Sequence, residues 1–437
     1  MADEPQNVEL TIEALGSEGD GIASLPGEGG SATAKLFVPF ALPGERVRAR
    51  LVPGVEPRRA QIESVLTPSP ERVDPPSPHF GICGGCNMQH LAIAPYQVWK
   101  RGLLTAALAQ VGIADAAVAP LVAVTPGSRR RATWFARRPA SGKVEIGFLA
   151  RGSHDIVDMQ ACPVLAPPLV ALLDPLRDLL GRMLPPGGRA EIVVNLLDSG
   201  IDLLLRLPGA LPPALRQMLA GFAVQRDLVR LAWQAMTRPG TAPSLWEPIV
   251  ERRPARALFG KVAVPLPPGA FLQATKQGET VLVGEAVAAV AGAKRIADLF
   301  CGAGAFTFPL AAVAPVHAVD GSKVLITALR RAADAAGIGG RITTDVRDLI
   351  KRPLVADELK KFDAVLFDPP RAGASSQAGR IAAARIPLVV AVSCNPASFA
   401  RDAKLLTDGG YTLEKAVPVD QFVWTPHLEI VAVFRRR

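Results

Sequence analysis

No uninterrupted apolar run in the 437 residues approaches the roughly 20 needed to cross a bilayer. The opening stretch, MADEPQNVEL, is acidic and polar and lacks the basic n-region and apolar core of a secretory signal, so a cytoplasmic protein is expected. Cysteine is scarce. Cys83, Cys86, Cys162, Cys301 and Cys394 are an odd set in a long chain, which argues against a disulfide framework and leaves thiols for metal binding or catalysis. No internal repeat is evident. The 40 Pro and 39 Gly imply many loops but show no collagen-like period. Hydrophobic residues at 49% and charged residues at 20% exclude global disorder.

What is present is a basic excess: 49 Lys and Arg against 40 Asp and Glu, a net charge of +9. It favours a polyanionic partner, because phosphate contacts release counterions. At about 150 residues per domain the length suggests two or three domains. Residues 8–65 read as about five short strands with turn signals such as GSEGDG and PGEGG, the pattern of a small oligonucleotide-binding-type barrel. A β-rich decoration without a binding role is the alternative. The proline-rich TPSPERVDPPSPHF reads as a linker, and Tyr96 to Val111 as a helix stopped by Gly112. Residues 77–270 read as a middle α+β region containing the strands RRRATWFARR, KVEIGFLA and EIVVNLLD. From about 271 onward apolar strands alternate with alanine-rich helices, which predicts a doubly wound, mostly parallel sheet.

In that last region Asp298 ends a strand that runs into Cys301-Gly302-Ala303-Gly304, and a second strand ends at Asp320, where a carboxylate can accept ribose hydroxyls. A dinucleotide turn is the competing reading, but position 307 is Thr where a third glycine would fall. The D-L-x-C-G-x-G form resembles motif I of class I S-adenosylmethionine methyltransferases. Asp368-Pro369-Pro370-Arg371 and Ser393-Cys394-Asn395-Pro396 each follow an apolar strand, placing Asp368 and Cys394 at carboxyl ends where such sheets bind ligands. A buried inert thiol is the ordinary expectation for one cysteine. In a cofactor crevice, a thiol is a candidate nucleophile. Cys301 is read as a packing residue.

DLFCGAGAF, DPPRAG, SCNPASFARD and TPHLE together resemble the RNA 5-methyluridine methyltransferases, and the likeness extends to GICGGCNMQH, RRRA and GSHDIVDMQACPVL. The resemblance implies a multidomain α/β chain. Its parts would be a TRAM-like OB β-barrel over 1–70, a middle α+β domain over 71–270 with a cysteine cluster and basic RNA-binding strands, and a Rossmann-like class I methyltransferase domain over 271–437. It implies S-adenosylmethionine as methyl donor and uridine C5 in RNA as target, with 23S rRNA expected and the chain expected to be a monomer. Cys394 would be the nucleophile and Glu429 the base. Gln273, Asp298, Gly302, Gly304, Asp320 and Asp368 would line the cofactor. A solvated strand-edge carboxylate is what Glu429 would be without the resemblance.

The family's [4Fe–4S] pattern is matched by Cys83, Cys86 and Cys162, but Ser77 stands at its first cysteine position. Four thiolates are the usual ligand set. A Ser-ligated, three-iron or absent cluster therefore stays open, as does zinc held by His79, His90 and the two close cysteines. Arg129, Arg130 and Arg131, with Arg137 and Arg138, flank Trp134 and Phe135, a basic strand with an aromatic for base stacking. The competing functions are an RNA-binding protein that no longer turns over, and methylation of tRNA, of cytosine C5 or of an amino group.

Overall fold

A computed structural model describes residues 7–25, 34–140, 142–237 and 245–436. The turn signal at 26–30 lies outside them. The chain divides into two compact units.

The first comprises Met1–Leu103, Leu149–His154 and Phe422–His427. Its six-stranded sheet runs in the order Asn7–Thr11, Arg46–Val52, Arg59–Thr67, Ala34–Val38, Gly21–Leu25, Ala14–Leu15. Every pairing is antiparallel except that between Ala34–Val38 and Arg59–Thr67. The alternation of RVRARLV explains one central strand. Val47 and Ala49 face the core, while Arg46 and Arg48 point outward to Glu9. The stretch read as a linker is tied down in this unit: Arg72 donates to both oxygens of the buried Glu45 carboxylate, at 2.6 and 2.8 Å.

The second unit comprises Leu104–Phe148, Asp155–Gln421 and Leu428–Arg437 and holds two large sheets. One runs Trp246–Glu251, Arg230–Ala235, Gly200–Leu207, Arg189–Leu197, Arg131–Arg137, Glu145–Gly147. The helix Leu173–Met183 covers its apolar face with Leu176, Leu179 and Leu180.

The other sheet has eight strands, in the order Ile342–Val346, Val316–Asp320, Ile296–Leu299, Ala364–Phe367, Leu388–Ser393, Glu429–Arg436, Tyr411–Asp420, Val122–Ala123. The first five are mutually parallel. Ile296–Leu299, Ala364–Phe367 and Leu388–Ser393 are buried along their whole length, as expected of strands covered by helices on both faces. Chain order reverses between Ile296–Leu299 and Ala364–Phe367, which is the switch point where such sheets bind ligands. Glu429–Arg436 is antiparallel to Leu388–Ser393, so its first residue lies at the sheet edge where the parallel strands end. No helix among the described residues is long and apolar enough to cross a membrane.

Candidate active site

Asp298 is fully buried at the end of its strand. Thr307 donates to Asp298 Oδ2 at 2.6 Å, while Oδ1 has no partner. Burial, reinforced by Asp368 and Asp320, pushes this carboxyl up to about 7. An orphaned acceptor beside a glycine loop fits a cationic ligand such as a sulfonium amino acid, whose charge would compensate the buried carboxylate. Gly304 has φ +99°, and a Cβ there would stand 2.7 Å from the Phe308 ring. Gly302 has φ +56° with open space around it, leaving its backbone approachable. Asp320 accepts from Gly302 N–H at 2.9 Å and from Ser322 N–H at 2.7 Å, which ties the second strand's end to the loop. The loop and its two acidic strand ends therefore fit S-adenosylmethionine. Cys301 is buried in the core beneath.

Across the switch point, Asp368 N–H donates to Leu299 O at 3.1 Å, which fixes Asp368 beside the loop. Gln273 Nε2 donates to Asp368 Oδ2 at 3.4 Å. Cys394 follows Leu388–Ser393 and precedes the helix Pro396–Asp408, whose first turn is capped by Asn395. Burial first, then the charges of Glu429 and Asp368, push the thiol up to about 11; Arg371 opposes them. Glu429 is buried, and burial together with Asp368 holds its carboxyl well above the usual range, against the pull of Gln421 and Arg131. Burial likewise raises Asp368. Cys394, Glu429, Asp368 and Gln273 thus gather at one edge with the glycine loop.

The three arginines separate. Arg131 stacks its guanidinium 4.3 Å from the centre of the Phe271 ring, which is 58% exposed, and burial lowers its pKa to about 10. Arg129 is half-buried and donates to Arg131 O at 3.1 Å. Arg130 points inward: it pairs with the buried Glu279 and donates to Gln273 O at 3.0 Å. Buried and internally paired, it braces the site, where a basic surface residue was expected. Trp134 is fully buried in the middle sheet's core, so it cannot stack on a base. Alternation placed it on the inner face, one residue from the half-buried Phe135.

The metal expectation finds no support in the structure. Among the described residues no group of three or more His, Cys, Asp or Glu side chains is placed to hold a metal ion. In the first unit Cys83 and Cys86 line a cavity of about 270 Å³ with Asp20, Arg59, Arg151 and His427. Ser77 Oγ accepts from His79 N–H at 3.3 Å. His90 is buried beside Phe40 and Phe80 with both ring nitrogens unpaired. In the second unit Cys162 packs against the middle sheet's apolar core. Within the first unit, Cys83 and Cys86 alone do not make up the ligand set of a [4Fe–4S] cluster or a zinc ion.

Gln421 was missed by sequence reasoning. Gln421 donates to Gln273 Oε1 at 2.7 Å and is nearly fully buried. Its only sequence signal is its place at the end of an apolar strand, eight residues before Glu429.

A glycine loop at the switch point of a mainly parallel sheet, with a cysteine and a buried carboxyl beside it, defines a class I methyltransferase with a candidate covalent nucleophile. The family model for tRNA (uracil-5-)-methyltransferase matches residues 267–437. The chain is 41% identical over 429 residues to an uncharacterized RNA methyltransferase of Brucella suis, covering 98% of each. It is 37% identical to the 23S rRNA (uracil(1939)-C(5))-methyltransferase RlmD of Bordetella bronchiseptica, covering 97% of this chain and 92% of that one. The tRNA (uracil-54, C5)-methyltransferase of Pyrococcus abyssi, solved with S-adenosyl-L-homocysteine, shares the fold with a TM-score of 0.75 at 24% identity, over 98% of this chain and all of that one. The chain belongs to the RNA 5-methyluridine methyltransferase family, whose members are RNA uracil-C5 methyltransferases.

Proposed function

We propose that this protein methylates C5 of a uridine in 23S rRNA through a covalent adduct on Cys394. The observation that carries the reading is the meeting of Cys394, Glu429 and Asp368 at the edge that holds the glycine loop. S-adenosylmethionine supplies an electrophilic methyl group. Uracil C5 is a poor nucleophile until a thiolate adds to C6. The Cys394 thiol gives its proton to solvent and its sulfur forms the C6–S bond; the displaced electron pair makes C5 enolate-like, and C5 takes the methyl as the donor's S–CH3 bond breaks and S-adenosylhomocysteine leaves. Glu429 as carboxylate then removes the C5 proton, the C5–C6 double bond re-forms, and the C6–S bond breaks to release Cys394. Gln273 and Asp368 orient base and donor. Asp298, Gly302, Gly304 and Asp320 hold the donor.

Residues 1–70, within the first unit, serve as the TRAM-like OB module and meet the RNA, and in the second unit the exposed Phe271 ring, under the Arg131 guanidinium, offers a face for a base. A uridine stacked in a helix must leave its stack to reach Cys394. The choice of 23S rRNA rests on the relative whose name carries that target. Mass-spectrometric mapping of RNA from a deletion strain tests it: loss of one 5-methyluridine from 23S rRNA is expected. Loss confined to tRNA would reassign the substrate, and loss from neither would overturn the function.

A further inference from the structure

Gln421 lies one residue beyond the strand Tyr411–Asp420, which runs alongside Glu429–Arg436 with Val419 opposite Glu429. Its side chain is 2% exposed and makes a directed set of contacts. Thr275 N–H donates to Gln421 Oε1 at 3.3 Å, and Thr275 is itself fixed as the N-cap of the helix Lys276–Ala289, with its hydroxyl accepting from Gly278 N–H at 2.9 Å. A backbone N–H only donates, so the end of the Gln421 amide that faces it must be the oxygen. The other end, Nε2, therefore faces Gln273 and Glu429. One proton goes to Gln273 Oε1 at 2.7 Å, and the side chain also hydrogen-bonds Glu429.

The direction propagates. Because Gln273 Oε1 is held by Gln421, its own Nε2 must turn away, and it is this end that reaches Asp368 Oδ2. A glutamine amide has nearly the same shape either way round, and only such donors decide its orientation. The helix makes room for the arrangement. A Cβ at Gly278 would lie 2.8 Å from Gln421 Oε1 and 3.0 Å from Gln421 Cβ. The close approach of Gln421 is the physical reason for a glycine in this first turn of the helix.

We propose that Gln421 is a positioning residue for the methylation: anchored by the Thr275 backbone, its amide fixes which end of Gln273 faces Asp368 and holds the Glu429 side chain by a donated hydrogen bond. The proposal rests on the reading of Glu429 as the base that resolves the adduct. The charged and titratable groups around Glu429 are Asp368, Cys394 and Arg131. Of these Asp368 opposes its ionisation, while Arg131 and the Gln421 donor favour it.

Gln421→Met keeps the volume and removes the amide; Gly278→Ala keeps the amide and crowds it. In the full-length protein, the infrared band of the protonated Glu429 carboxyl, identified by its loss in Glu429→Gln, is followed against pH in each. With RNA and labelled S-adenosylmethionine, resolution of the covalent adduct is followed in parallel. Losing a donor to a carboxylate makes ionisation harder, so the band should persist to a pH about one unit higher, and adduct resolution at neutral pH should slow about tenfold. Both variants should move in the same direction. A band and a resolution profile that match the parent in Gln421→Met would overturn the proposal, as would lost turnover with an unmoved band, which marks a purely structural role. If the parent protein forms no 5-methyluridine, the function proposed above fails, while the band still decides whether Gln421 holds Glu429.

Discussion

Cys394 follows the strand Leu388–Ser393 and Glu429 opens its antiparallel neighbour, with Ser393 paired to Ile430, so nucleophile and base stand at the same edge of one sheet. A shift of one residue in that pairing would turn Glu429 to the other face. The pair is also linked electrostatically, since the Glu429 charge is among the causes that hold the Cys394 thiol up at about 11. Removing a neighbouring negative charge favours the thiolate. In Glu429→Gln, alkylation of Cys394 by iodoacetamide should therefore reach half-maximal rate at a lower pH, by up to about one unit. Asp368 and burial remain, so the thiol should stay above its ordinary value. An unchanged or raised midpoint would show that the two groups do not sense one another.

The same pair separates two steps of the reaction. Cys394→Ala should abolish methylation while S-adenosylmethionine binding persists, because the thiol acts on the base and the loop holds the donor. Turnover should fall by at least about a hundredfold, as expected when a covalent nucleophile is lost. Glu429→Gln should still transfer methyl but stall before release, so a protein–RNA adduct should accumulate on denaturing gels. Normal turnover in Glu429→Gln would place the base elsewhere.

Arg130 gives a prediction about stability. Its guanidinium pairs with Glu279 where both side chains are only 6% exposed, and it also satisfies the Gln273 carbonyl. Arg130→Met would leave Glu279 with Lys276 at 2.9 Å as its remaining cation and Gln273 O without this donor. Breaking one side of a buried pair costs about 3 to 5 kcal/mol, and the Lys276 contact argues for the lower figure. A fall in the unfolding midpoint is expected, with a rise in KM for RNA as the Gln273 loop loosens. A variant as stable as the parent would show that the pair contributes nothing net.

Much of the site was legible because its residues sit where strands end. The fully apolar strands before Asp298, Asp368 and Cys394 mark buried parallel strands, and ligand chemistry belongs at their carboxyl ends. The helix read from Tyr96 to Val111 forms as Ile93–Gln110, before Gly112 at φ +81°. What was not legible depends on which way a side chain faces. Arg129, Arg130 and Arg131 are equivalent as a run of charge, yet strand alternation and one buried partner, Glu279, send the middle one inward. Gln421 carries no local signal beyond its place at a strand's end. Its role exists only because the segment holding Gln273 and Thr275 folds against the distant one that holds Gln421 and Glu429.

The last prediction concerns the cysteines. Ser77 replaces one thiolate of the pattern and spends its hydroxyl on the His79 N–H. Burial raises the Cys83 thiol, against the opposing hydrogen bond that its sulfur accepts from Gly85 N–H at 3.4 Å. A cluster is usually held by four thiolates, and this segment offers two. The segment is held by other means. Cys83 bridges to Ala150, Gly84 N–H donates to Leu149 O at 3.0 Å, Arg151 pairs with the buried Asp20, and Phe40 and Phe80 pack edge-on at 5.1 Å. Protein purified without oxygen should therefore contain no stoichiometric iron or acid-labile sulfide, and chelators should change neither its unfolding midpoint nor its methylation rate. Iron and sulfide at about four per chain, the content of a cubane, would show that the three cysteines assemble a cluster despite Ser77. Methyl transfer would still rest on Cys394 and Glu429 in that case, because neither residue belongs to the cysteine segment.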